Sequence, residues 1–276
     1  MVRKIALLFL ILTASICCNA RTVRILAIGN SFSEDAIEQN LHEIAAAAGD
    51  TAIIGNLYIG GCELEKHFYN AIYDSPAYRY RKIDVNGKMT QTDKMTIKDA
   101  LTDDKWDVVT LQQASHYSGL SDSYTPWITR LTAYIRTNTA YNPEIGFHQT
   151  WAYAANASHW AFDYYNHSQE DMYRHICSAV RQAINTAGIT LVIPSGTAIQ
   201  NGRTSALGDN LNRDGYHLDL KIGRFIAACT WYETLFGKDV TKNTYIPDGV
   251  SGTDTAIARR AAHAAVSAPW NVTEIQ

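Results

Sequence analysis

The sequence predicts an α/β protein, a three-layer α/β/α sandwich around a central parallel sheet. Three observations carry this expectation. Short apolar runs with strand character recur at wide spacing, over residues 23–28, 52–59, 107–111, 144–149 and 190–194. Helical stretches separate most of them, over 36–48, 125–137, 171–187 and 220–236. Strands alternating with helices of that length pair in parallel, need cover on both faces and cross over with a right hand. Finally, 276 residues with a hydrophobic fraction of 46% and a charged fraction of 18% suit one large domain with a real core.

The chain begins with a segment to be separated from the fold. Arg3 and Lys4 precede an apolar run over 5–17, and Cys18-Asn19-Ala20 offers small residues around a cleavage point after Ala20. This is the layout of a secretory signal peptide over residues 1–20, and the run is short for a membrane span. The expected mature chain, 21–276, is exported to the periplasm or beyond and carries no membrane span. Cys62, Cys177 and Cys229 then remain, an odd number with no CxxC pattern. That argues against a disulfide scaffold or a zinc site and leaves them as small buried hydrophobes.

The first strand runs into Gly29-Asn30-Ser31, a tight turn that holds a serine at the strand tip. Ser33, Glu34 and Asp35 follow as a helix start, with Ser33 as its cap and the acids favoured by the helix dipole. Those acids would repel a phosphate, so the turn is not a phosphate cradle. Further on, residues 78–92 alternate polar and apolar around Asn86-Gly87, which predicts a β-hairpin insertion at the edge of the domain. Beyond Gly237 a polar stretch leads to an alanine-rich helix over 254–267, a C-terminal extension of the same domain. The formal net charge of −3, without a long run of one sign, excludes nucleic-acid binding by phosphate neutralisation.

A second chemical component stands far from Ser31. Asp214 and His217 lie three apart in a loop before an apolar helix. A turn at that spacing can fold the carboxylate onto one imidazole nitrogen and leave the other free, which is the orienting half of a Ser-His-Asp triad. In open parallel sheets ligands sit beyond the carboxyl ends of the strands, so a strand-tip serine is where such a pair is needed. At the exit of the fourth predicted strand, His148 and Trp151 are placed on the rim, where Trp151 could stack on a sugar ring. His159, His167 and His175 have no ligand spacing and read as surface residues, and Met172 and Tyr173 as ordinary helix packing.

The strings "IGNSFS" and "DGYHLD" resemble the opening and closing blocks of SGNH (GDSL-type) hydrolases, with Asn30 where aspartate is commoner. "GNSFSEDA", "GGCELEKH", "DVVTLQQAS" and "DGYHLD…GRFIAACTWYETLFG" resemble the DUF4886 branch of that superfamily, found among secreted bacterial proteins. The resemblance covers nearly the whole mature chain. It implies a flavodoxin-like fold and an esterase mechanism, with Ser31 as nucleophile, His217 as base and Asp214 as orienter. It also implies an oxyanion hole from the Ser31 and Gly61 N–H groups, Gly61 being preferred to Gly60. The superfamily's third block usually supplies an asparagine, but this chain has Leu111-Gln112-Gln113-Ala114-Ser115, so Gln112 or Gln113 is the expected side-chain donor. The expected function is removal of small acyl groups, acetyl foremost, from a small-molecule or polysaccharide ester, with no metal or organic cofactor. The alternatives are a lipase-like or thioester-cleaving enzyme and a non-catalytic carbohydrate-binding protein on the same fold.

Overall fold

The computed structural model describes residues 20–276, so the leader predicted over residues 1–20 lies, except for Ala20, outside the described residues. In chain order the elements are β1 (Thr22–Gly29), α1 (Ser31–Ile37), α2 (Leu41–Ala47), β2 (Thr51–Tyr58), α3 (Leu64–Ile72), β3 (Tyr78–Ile83), β4 (Met89–Met95), α4 (Ile97–Thr102), β5 (Val108–Leu111), α5 (Trp127–Asn138), β6 (Glu144–His148), α6 (Gln169–Ala187), β7 (Leu191–Ile193), α7 (Ser195–Arg203), α8 (Ile222–Phe236) and α9 (Gly252–Ser267).

The sheet has seven strands in the order β4-β3-β2-β1-β5-β6-β7. The pairs β1–β2, β1–β5, β5–β6 and β6–β7 are parallel, and β2–β3 and β3–β4 are antiparallel. With the hairpin set aside, the parallel strands follow the flavodoxin-like order, and the chain reverses its direction of travel between β1 and β5. Ligands of such sheets bind at that switch point, beyond the carboxyl ends. β1 is apolar almost throughout because helices cover both its faces, and its last five residues are all buried.

Two groups of helices flank the sheet. α3, α4, α5 and α6 pack in sequence on one another, while α1, α2, α7 and α9 gather around α8. α8 carries apolar residues around nearly its whole circumference, and all but two of its residues are buried. The C-terminal extension is therefore an integral layer, since α9 closes over α7 and α8.

One expectation needs correcting. The helix predicted over 36–48 is two short helices, broken at Asn40 in the left-handed region at φ 68°, which asparagine tolerates better than most residues. The expected hairpin is present at the edge, where it forms the last two strands of the sheet, with β3 paired to β2 from Ile54↔Ile83 to Tyr58↔Arg79. α4 and α7, short and flanked by loops, had no periodic signal long enough to reveal them. Among the described residues no helix is long and apolar enough to cross a membrane.

Candidate active site

β1 ends on Gly29, where a Cβ would lie 2.5 Å from Ser33 Oγ, so only glycine fits the start of the turn. Asn30 is extended and caps α1, its Oδ1 accepting from Phe32 N–H at 3.0 Å. Asparagine thus takes the capping role expected of Ser33, which is buried with its hydroxyl 2.8 Å from Asn30 O and 2.8 Å from Asn56 Oδ1. The exchange makes Ser31 the first residue of the helix, half-buried at the tip of β1.

The loop before α8 meets it there. His217 Nε2 is 2.8 Å from Ser31 Oγ, and His217 Nδ1 is 2.6 Å from Asp214 Oδ2. Asp214 Oδ1 also accepts from the backbone N–H groups of Tyr216 at 3.1 Å and His217 at 2.8 Å. Gly215 makes this tight return possible: its φ is 91°, and a Cβ there would lie 3.0 Å from Ala157 Cα. Burial opposes ionisation of Asp214, but the His217 ring and the two backbone donors together outweigh it and hold the carboxyl below its ordinary range. An ionised Asp214 fixes the Nδ1–H tautomer, so Nε2 offers its lone pair to the Ser31 hydroxyl.

Asp35 answers why acids follow the serine. It lies one helical turn past Ser31, fully buried, and reaches both sides of the His–Asp loop. Arg213 Nη1 donates to its two oxygens at 3.1 and 3.0 Å, and Leu218 N–H donates to Oδ2 at 2.8 Å. Arg224 of α8 pairs with Oδ1. Burial pushes the Asp35 carboxyl up, against the pull of the Arg224 and Arg213 guanidiniums. The residues immediately before Asp214 and after His217 are thereby pinned to the helix that carries the nucleophile. The loop hangs from a second support as well: Trp151 Nε1–H donates to Tyr216 O at 2.7 Å and Ala154 N–H to Gly215 O at 2.7 Å.

The turn after β2 closes the other side. Gly61, at φ 61°, and Ser31 each present a backbone N–H that has no hydrogen-bond partner among the described residues. Asn30 ties that turn to the nucleophile, since its Nδ2 donates to Cys62 O at 3.0 Å. The same asparagine accepts from Gln112 Nε2 at 2.8 Å, and Gln112 Oε1 in turn accepts from His148 Nδ1–H at 3.0 Å. One directed chain of hydrogen bonds therefore links the tips of β6, β5 and β1 to the Gly61 turn.

This chain overturns the expectation for the glutamines. The Gln112 amide donates to Asn30, and the Gln113 amide donates to Ser123 O at 2.9 Å and Ser123 Oγ at 3.0 Å, while Gln113 Oε1 accepts from Leu64 N–H at 3.1 Å. Both side chains are buried braces, Gln112 between the tips of β1 and β6 and Gln113 between α3 and the loop after β5. The rim assignments are corrected too. His148 is fully buried and burial lowers its pKa to about 3, which keeps the ring neutral as a donor to Gln112. Trp151 is also fully buried, stacked on Phe32 at 4.3 Å, so it supports the loop from beneath and meets no substrate. Asn30, Asp35 and Arg213 are the positioning residues that sequence reasoning missed.

Asn30→Asp isolates one of these braces. Aspartate caps a helix as well as asparagine does and still accepts from Phe32 and Gln112, but it has no N–H for the Cys62 carbonyl. The expected result is a folded protein in which kcat for a small ester falls by about ten- to a hundredfold, as the Gly61 N–H drifts from its place. An unaltered kcat would mean that the Gly61 turn holds itself.

The family model described as "Domain of unknown function (DUF4886)" matches residues 24–265. The chain belongs to the DUF4886 family. Among solved structures, a DUF4886 family protein from Bacteroides uniformis ATCC 8492 is 52% identical with a TM-score of 0.90, over 92% of this chain and 98% of that one. A Slackia heliotrinireducens protein, titled as a candidate SGNH hydrolase, is 21% identical with a TM-score of 0.52, over 78% of this chain and 99% of that one. The DUF4886 chain thus has the SGNH-hydrolase fold. No functionally curated protein matches its sequence.

Proposed function

We propose that this DUF4886 chain is an exported serine esterase that removes small acyl groups, acetyl foremost, from carbohydrate. The observation that carries the reading is the continuous line from Asp214 to His217 to Ser31, closed by contacts of 2.6 and 2.8 Å. As Ser31 Oγ bonds to the ester carbonyl carbon, its proton passes to His217 Nε2 and the carbonyl electron pair moves onto oxygen. The Ser31 and Gly61 N–H groups receive that oxyanion. Collapse breaks the bond to the alcohol oxygen, which takes the proton from Nε2 and leaves an acyl-serine. Water repeats the sequence, with Nε2 taking its proton, and releases the acid. The residues need no metal or organic cofactor for any of these steps.

The commitment of both glutamine amides favours a second reading, a carbohydrate-binding protein that lacks turnover, because the side-chain donor to the oxyanion has no replacement in Gln112 or Gln113. A fluorophosphonate applied separately to the extracytoplasmic and cytoplasmic fractions of the native host separates the two. The expected product is this chain labelled on Ser31 alone, with its N-terminus at or near Arg21. An unlabelled Ser31 supports the binding protein, and a labelled chain that retains Met1 in the cytoplasm refutes export.

A further inference from the structure

Resting on the esterase reading, we infer that exposed Trp160, with His116, His159 and Tyr216, forms the platform that holds a sugar ring as the alcohol part of the substrate. The rings form a connected strip that starts at the triad. The Tyr216 ring lies 4.2 Å from that of His217 and 5.0 Å from that of His159. His159 stacks on Trp160 at 5.6 Å, and Trp160 lies 5.8 Å from His116. Trp160 is 58% exposed, a large apolar surface to leave in water on a protein that buries Trp151 and Trp231 completely.

Burial lowers the pKa of both His159 and His116. The two imidazoles are therefore held towards the neutral form, in which a ring can both donate and accept a hydrogen bond.

Which half of the ester it meets follows from the chemistry. The imidazole that takes the serine proton returns it to the leaving oxygen, so the alcohol must lie against His217 Nε2. The carbonyl oxygen points instead towards the Ser31 and Gly61 N–H groups. A surface continuous with His217 thus contacts the alcohol. Aromatic faces interleaved with imidazoles suit a ring that has apolar C–H faces and hydroxyls around its edge. His159 Nδ1 accepts from Ala161 N–H at 3.2 Å, leaving its proton on Nε2, and the His116 ring has no hydrogen-bond partner among the described residues. Tyr153 Oη joins Ser115 Oγ at 3.0 Å and lies 3.4 Å from His159 Nδ1, which ties the turn bearing His116 to the segment bearing His159.

The test compares kcat/KM for glucose penta-acetate with that for ethyl acetate, whose alcohol is too small to reach Trp160, by acetate release. The wild type should prefer the sugar ester, and Trp160→Ala should cut that preference about tenfold while Trp160→Phe retains most of it. A preference that Trp160→Ala leaves intact overturns the platform. Calorimetry with β-1,4-linked hexaoses of xylose, glucose, mannose and N-acetylglucosamine on Ser31→Ala protein reads the platform without turnover. If the wild type cleaves no ester yet a hexaose binds, and Trp160→Ala abolishes that binding, the platform stands and the esterase reading falls. If no ester is cleaved and no hexaose binds, both fall.

Discussion

Alanine at position 31 should leave a folded protein whose kcat for ester hydrolysis is lower by about five to six orders of magnitude. Ser31 is half-buried, and its hydroxyl is hydrogen-bonded to His217 alone among the described residues, so its removal opens no core cavity. The melting temperature should therefore stay close to that of the wild type. His217→Ala should cost a similar amount, and the double variant little more, because a base without a nucleophile and a nucleophile without a base are equally idle. Ester turnover followed alongside thermal melting checks all three. Substantial hydrolysis by Ser31→Ala would place the chemistry elsewhere, and additive losses would show that the two residues do not act as one unit.

Asp35→Asn should be the most destabilising single substitution near the site. It removes the counter-charge of Arg224, which is itself buried, and breaking one partner of a buried pair costs about 3–5 kcal/mol. Against a total stability of roughly 5–15 kcal/mol, this lowers the denaturation midpoint sharply and can prevent accumulation of folded protein. Arg213→Gln keeps the argument testable, because Arg213 sits at the solvent edge and Arg224 still neutralises Asp35. That variant should fold with a stability loss of about 1 kcal/mol or less and still lose roughly tenfold in kcat, since Leu218 N–H is then the His–Asp loop's remaining hydrogen bond to Asp35 among the described residues. Full activity in folded Arg213→Gln would reduce the Arg213 contact to a stabilising role.

What could be read in advance was local. The strand that ends on Gly29-Asn30-Ser31, the Asp-x-x-His spacing and the Asn86-Gly87 turn each announce themselves within a few residues. What could not be read depends on partners remote in sequence. Gln112 looked free to donate until Asn30, 82 residues earlier, proved to be the acceptor. Asp35 looked like a helix-start acid because Arg213 and Leu218 lie 178 and 183 residues away. Trp151 misled for a different reason. A tryptophan leaving a strand tip suits the rim and the interior equally, and only the closure of the His–Asp loop over it decides. Trp160 lies in a stretch without periodicity, so nothing marked it as the aromatic left outside.

The sequence separation of 186 between Ser31 and His217 also bears on when the site comes into existence. Ser31 emerges early from the ribosome, but its base arrives only with the loop ahead of α8. Contacts so distant in sequence form late in folding, after loop closure has been offset by the burial of α8 against α1 and α2. A chain still being synthesised carries Ser31 without the imidazole that would activate it. Assembly of the fold and assembly of the Ser31–His217 pair are then a single event.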